Sequence, residues 1–367
     1  MLFPESRERE TIGSFPPPQR RRIGASRGGQ SEQAVRRRVY FKMKTLSKAP
    51  SVVREVIGEE QAGQRIDNFL LRVCKGVPKS HVYRILRSGE VRANGKRIDP
   101  SYRLALGDEI RIPPIRLSAS VVEPLAVPVG KTFPVIFEDD ALIALDKPAG
   151  TAVHGGSGVS FGVIEQLRRQ RPQARFLELA HRLDRETSGL LLIGKKRSSL
   201  NALHDMFRSG TIRKTYLTLV SGRWMNPLQH VRLGLTKYLT DDGERRVSVD
   251  QEGKPSHSIV RLRRRWENFS LLEVELRTGR THQIRVHLSH LGFPLAGDDK
   301  YGDFVLNKDL MKLGLKRMFL HAAWLEMPHP ATGAPLALAS PLPDDLARFV
   351  ARVGENERCD FEVTDGD

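Results

Sequence analysis

His181-Arg182-Leu183-Asp184-Arg185-Glu186-Thr187-Ser188-Gly189, followed at once by Leu190-Leu191-Leu192-Ile193, sets the reading of the whole chain. Charged and turn-forming residues run into a block of large apolar ones, the mark of a loop feeding a short strand buried on both faces. Arg182 and Asp184 stand two apart, so in an extended segment their side chains fall on one side and reach one cleft. A guanidinium beside a carboxylate favours its charged form, which a carboxylate acting as nucleophile or base requires, whereas burial alone opposes it. An Arg-x-Asp pair alone is also what a surface salt bridge looks like; the whole run sets this one apart.

Outward from that run the pattern is α+β over residues 135–350. Leu142-Ile143-Ala144-Leu145 reads as another short buried strand, and so does Tyr216 to Val220. Leu200, Leu203 and Phe207 mark a helix between them, capped by Ser198 or Ser199 and stopped by Gly210. Residues 259–277 predict two strands joined at Glu267-Asn268-Phe269. Thr281 reads as the N-cap of a helix that carries Arg285 one turn along. From Gly354 the chain turns polar and acidic, and residues 351–367 are expected to be a frayed tail. His282, His287 and His290 invite a metal reading, but no nearby carboxylate or Cys completes a ligand set.

Residues 63–113 predict a small module of two helices and short strands. Ile66, Phe69, Leu70 and Val73 form one apolar helical stripe ending at Gly76. Ser80 is expected to cap a second helix with Val82, Ile85 and Leu86 on one face, Arg84 and Arg87 on another, and Gly89 at its end. Asn94-Gly95 is a hairpin signal, and Ile110 and Ile112 alternate with charge in a later strand. The module carries eleven Lys and Arg against five Asp and Glu, which suits phosphate contacts.

Composition narrows the partners. Sixty Lys and Arg against 43 Asp and Glu leave a net charge of +17 over 367 residues, which points to a polyanion. No apolar run approaches the roughly 20 residues that span a bilayer, so a soluble, intracellular protein is expected. Cys74 and Cys359 fit neither a disulfide framework nor a zinc spacing. Residues 1–50, with Pro16-Pro17-Pro18 and Arg triplets at 20–22 and 36–38, read as a disordered basic arm; Glu5, Glu8 and Glu10 disfavour a transit peptide, and Met43 is a second candidate start. Pro113-Pro114, Pro124, Pro128 and Pro134 make residues 114–134 an extended linker.

Two resemblances join these readings. Gly63-Gln64-Arg65-Ile66-Asp67, Lys79-Ser80 and Gly89 to Gly95 make residues 55–113 resemble the S4 RNA-binding domain. That likeness implies a second helix and following loop seated on folded RNA, with Lys79, Ser80, Arg84, Arg87 and Arg92 as contacts. The run at 181–189 resembles the signature of the pseudouridine synthase family that includes the A, C and D types of ribosomal large-subunit enzyme. Asp146-Lys147-Pro148-Ala149-Gly150 with His154, Lys214-Thr215-Tyr216, Arg277 to Arg285, and Gly297 to Gly302 extend the likeness in the family's order. It implies a larger domain on a mixed, largely antiparallel sheet with flanking helices, and a cofactor-free isomerisation of uridine. Position by position, Asp184 corresponds to the essential aspartate, Tyr216 to the tyrosine that stacks on the base, and Arg285 to the arginine paired with the aspartate; Arg182 is a further cationic neighbour. The Tyr216 hydroxyl is also placed to help remove the C5 proton. Lys147 and His154 are read as lining or framing the cleft.

Gly76 to Ser80, Val82 to Arg92 and Arg111 to Pro114 look most like the C-type branch, with the D-type next, which implies 23S ribosomal RNA as partner; a monomer and a cytoplasmic location are expected as well. The competing class is a non-catalytic S4-type assembly factor; methyl transfer is disfavoured because no Gly-rich cofactor loop follows a strand. Deleting residues 1–113 is expected to weaken RNA binding and flatten its salt dependence while leaving the remainder folded, read by titrations at several ionic strengths. An unchanged slope would remove the module from recognition.

Overall fold

Short apolar stripes and tight turns build the first module of the computed structural model, which describes residues 51–74, 77–115, 132–155 and 161–363. The expected basic arm, Gly76 and most of the linker lie outside the described residues. β1 (Val53–Val56), α1 (Ile66–Val73), α2 (Lys79–Arg87), β2 (Arg92–Ala93), β3 (Lys96–Arg97) and β4 (Glu109–Ile112) follow in order, and the strands form a four-stranded sheet, β1-β4-β2-β3. Ile66, Phe69 and Leu70 close on Val82, Ile85 and Leu86 and on Ile110 and Ile112, all buried. Asn94 (φ 51°) and Gly95 (φ 75°) take the left-handed conformation that a two-residue hairpin requires. The expected Ser80 cap is absent: α2 starts at Lys79 behind the extended Pro78, and Ser80 makes no capping bond. The fixed φ of proline sets the helix entry, and an exposed first turn leaves its N–H groups to solvent.

The larger part contains β5 (Val135–Glu138), β6 (Leu142–Lys147), α3 (Val163–Gln170), β7 (Glu178–Leu179), β8 (Ser188–Gly194), α4 (Arg197–Ser209) and β9 (Arg213–Ser221). It continues with β10 (Leu228–Leu239), β11 (Arg245–Val249), β12 (Lys254–Arg265), β13 (Phe269–Leu276), α5 (Gln283–His290) and α6 (Phe304–Lys312). β14 (Leu320–Pro328), β15 (Pro335–Ala339), α7 (Asp344–Asn356) and β16 (Phe361–Glu362) complete it. One 12-stranded sheet runs β11-β10-β12-β13-β9-β14-β8-β6-β5, with β15 on β14, β16 on β12 and β7 on β8. Among the described residues its pairings are antiparallel apart from β14 with β8, so the architecture is α+β on a mixed, mostly antiparallel sheet.

The apolar runs at 142–145 and 190–193 are continuous because both faces of the sheet are covered there. Ile143, Leu145, Leu191 and Ile193 join a core with Val163 and Leu167 of α3 and Ile284 and Leu288 of α5. Leu142, Ala144, Leu190 and Leu192 face the other way, onto Leu200 and Leu203 of α4. Gly210 (φ 75°) ends α4 as the sequence predicts, but the helix begins at Arg197 without a side-chain cap, and Ser199 is buried in its first turn.

The expected frayed tail is not observed through residue 363. α7 continues through Gly354 to Asn356, burying Leu346, Phe349, Val350 and Val353, and β16 then pairs with β12. The acidic residues there find basic partners: Asp360 pairs with Arg223 and Arg265, and Glu362 with Arg264.

Gly189 lets β8 and β14 meet. Its φ is 106°, and a Cβ there would sit 2.2 Å from the Ala322 carbonyl oxygen. Gly189→Ala is therefore expected to cost at least about 3 kcal/mol, read as a lowered urea midpoint, from strain and overlap together. A midpoint within error of wild type would show that the strands separate without cost.

Candidate active site

A cleft between the loop before β8, β9 and the start of α5 collects Asp184, Tyr216, His282 and Arg285, with Arg182 at its edge. The Asp184 loop closes on itself through Thr187 N–H to the Asp184 carbonyl at 3.2 Å, and buried Leu183 pins it from below. Its downstream side is held by Lys147, which is fully buried; Nζ donates to the carbonyls of Pro148 at 2.9 Å, Thr151 at 2.8 Å and Arg185 at 3.0 Å. Lys147 thus frames the loop and does not face the cleft, while His154 is exposed. Ser188, where β8 begins, lies 3.0 Å from His321 Nδ1 and accepts from Arg317 Nη1 at 3.1 Å. His181 accepts Leu192 N–H on Nε2 at 3.0 Å, and burial pulls its imidazole down to about 3, so it is a neutral staple for the loop's start.

Arg285 is presented by α5, yet its chief partner is not Asp184. Nε and Nη2 grip the carboxylate of the fully buried Asp298 at 2.7 Å and 2.5 Å, while Nη1 stands 3.7 Å from Asp184 Oδ2. Burial raises the Asp298 carboxyl, but the Arg285 bonds and charge outweigh it and leave that group below its ordinary value. The Tyr301 ring lies 5.0 Å from the guanidinium carbon. A second nitrogen approaches from the same helix end: His282 Nε2 is 3.7 Å from Asp184 Oδ2. His282, not Thr281, is the N-cap residue, and it adopts the left-handed φ of 54° without making a side-chain cap.

Tyr216 on β9 is 8% exposed and turns its ring into the cleft wall. Burial, then the charge of Asp184, pushes its hydroxyl above the ordinary phenol value. A phenolate that could take the C5 proton is therefore disfavoured, and the flat ring is what the geometry offers. Arg182 lines the cleft but is exposed, and among the described residues it makes no ion pair with Asp184. Lys79, Ser80, Arg84, Arg87 and Arg92 are all exposed in the first module.

Asp298, His282 and Tyr301 are the residues that sequence reasoning left without a role. Gly297 to Gly302 stood out as a motif, but nothing in it says that Asp298 clamps an arginine 13 residues earlier. The His287-x-x-His290 metal idea finds no support: His287 Nε2 meets Ser256 Oγ at 2.7 Å, and among the described residues no cluster of His, Cys, Asp or Glu is arranged for a metal.

Comparison with known proteins fits this arrangement. Residues 141–290 match the RNA pseudouridylate synthase family, and residues 64–110 match the S4 domain. Ribosomal large subunit pseudouridine synthase C of Escherichia coli O157:H7 is 49% identical over 317 residues, covering 85% of this chain and 99% of its own. Its namesake from Salmonella typhimurium is 50% identical over 312 residues, 83% of this chain and 97% of its own. The solved structure of human RNA pseudouridylate synthase domain containing 1 superposes with a TM-score of 0.53 at 22% identity, over 65% of this chain and 94% of its own, which speaks to the fold.

Burial pulls the Lys147 ammonium from 10.5 down to about 7. With the folded value depressed, the unfolded chain binds more protons between about pH 7 and 10.5, so this group's contribution to stability is full above 10.5 and is lost as pH falls through 7. Lys147→Met leaves three carbonyls without their donor and is expected to cost about 3 kcal/mol. The gap to wild type should widen from pH 7 to pH 10 in denaturant titrations; a constant gap would contradict the lowered value of the buried amine.

Proposed function

Because the chain belongs to the RNA pseudouridylate synthase family and is thus an isomerase of uridine in RNA, we propose that it forms pseudouridine in 23S ribosomal RNA with Asp184 as the essential carboxylate. The observation that carries this reading is the convergence of Asp184, Tyr216 and Arg285, from a loop, a strand and a helix, on one cleft. The large-subunit substrate is supported by likeness along nearly the full length of the C-type relatives, S4 segment included.

In the reaction the C1′–N1 bond breaks, the uracil turns over while held, and C5 joins C1′; the proton leaves C5 and N1 gains one. The target base is flipped out of its stack, and the Tyr216 ring receives it, a contact worth roughly 1–3 kcal/mol. Asp184 attacks C1′, attacks C6, or takes the 2′ proton; in each version it acts as a carboxylate, and Arg285 Nη1 stands 3.7 Å from its Oδ2. Arg182 adds positive charge at the cleft edge. Residues 55–113 seat the RNA through Lys79, Ser80, Arg84, Arg87 and Arg92, and residues 135–350 carry the chemistry. The protein acts as a monomer in the cytoplasm, without a cofactor. Among the described residues no helix is long and apolar enough to cross a membrane.

Asp184→Asn should lower conversion of unmodified 23S fragments by at least about a thousandfold with little loss of RNA affinity. Mapping pseudouridine in total RNA from cells carrying this variant should show the target sites empty. Persistence at every site would sink the reading, and the positions lost would distinguish the C-type set from the D-type one.

A further inference from the structure

His282 is one of two non-glycine residues with positive φ among the described residues, and the other, Asn94, sits in a hairpin turn that asks for it. His282 stands third in a turn closed by the Gln283 N–H on the Arg280 carbonyl at 3.2 Å, a position that takes a positive φ but favours glycine or asparagine over a residue with a bulky side chain. An imidazole held in a left-handed conformation at a cleft wall costs stability, and such strain collects where a side chain must be aimed. Its aim is specific. Nε2 faces Asp184 Oδ2 at 3.7 Å, and Nδ1 lies 2.8 Å from the Tyr301 hydroxyl. That hydroxyl already accepts the Val247 N–H of β11 at 2.9 Å, so its own proton is free to go to Nδ1.

The geometry points to His282 as a positioning residue for Asp184: Tyr301 fixes the tautomer that carries its proton on Nε2, and that N–H, with Arg285 Nη1, orients the carboxylate toward the nucleoside. The proposal rests on Asp184 being the working carboxylate. At 3.7 Å both donors stand outside hydrogen-bond range, a spacing that closes when substrate fills a site. Burial lowers the His282 imidazole, with Asp184 offsetting part of the effect, which agrees with a neutral ring that donates from one nitrogen. The Tyr301 ring also packs against Arg285, so one aromatic side chain braces both donors that flank Asp184.

The test is single-turnover conversion of a 23S fragment, alongside RNA affinity and thermal melting, for His282→Gly, His282→Gln, Tyr301→Phe and the Gly/Phe double variant. Glycine relieves the backbone, so His282→Gly should melt at or above the wild-type temperature, bind RNA within about twofold of wild type, and convert about 30-fold more slowly. Glutamine, whose amide can place an N–H near the Nε2 position, should recover most of that rate. Tyr301→Phe should slow conversion about tenfold alone and add nothing in the His282→Gly background, since it acts through the imidazole. Wild-type conversion by His282→Gly, a loss confined to RNA affinity, or multiplicative slowing in the double variant would each overturn the proposal. Asp184→Asn run in parallel separates the levels: if it stays active the active-site reading falls, and if it is inactive while His282→Gly is unimpaired, only the role of His282 falls.

Discussion

The buried pair between Arg285 and Asp298 is the constraint on which the cleft depends. Asp298 is wholly inside, and beyond the guanidinium it accepts the backbone N–H groups of Lys300 and Tyr301. A carboxylate placed there without its partner would cost about 3–5 kcal/mol, so neither residue is dispensable while the other remains. The pair also decides what Arg285 can do. With Nε and Nη2 taken, only Nη1 is left toward Asp184, which receives a directed positive edge without being locked into a tight salt bridge.

The same clamp sets the segment around it. Lys300 reaches Glu244 in the β10–β11 turn, and Tyr301 takes the Val247 N–H, so the hairpin and the cleft share one scaffold. On the opposite wall Lys147 performs the equivalent task with backbone carbonyls. Asp184 thus lies between two supports built from buried polar groups, while the surplus of basic residues suits a phosphate backbone.

Much of this was legible in the chain because it is locally encoded. The 181–189 run, the apolar blocks at 142–145 and 190–193, and Asn94-Gly95 each carry their meaning within a few residues, and the strands and hairpin follow. Ser80, Ser198 or Ser199, and Thr281 misled as caps because a serine or threonine near a helix start is a statistical cue that solvent, proline or a strained residue can replace. The C-terminal acids read as a solvated tail because their arginine partners lie on β12 and just after β9, from 95 to 137 residues away. Asp298 and His282 were invisible as site residues for a related reason: one acts through a contact made only by folding, and the other through a backbone angle that the histidine letter does not announce.

The parallel contact of β8 with β14 joins Ser188 and Gly189 to His321 and Ala322, 133 residues downstream. During synthesis, the Asp184 loop therefore has no floor until β14 has left the ribosome, whereas the first module, with a core of its own, can close long before. A chain halted midway would hold a folded first module and a cleft not yet formed. Completeness of the polypeptide becomes, through topology alone, a condition for modification.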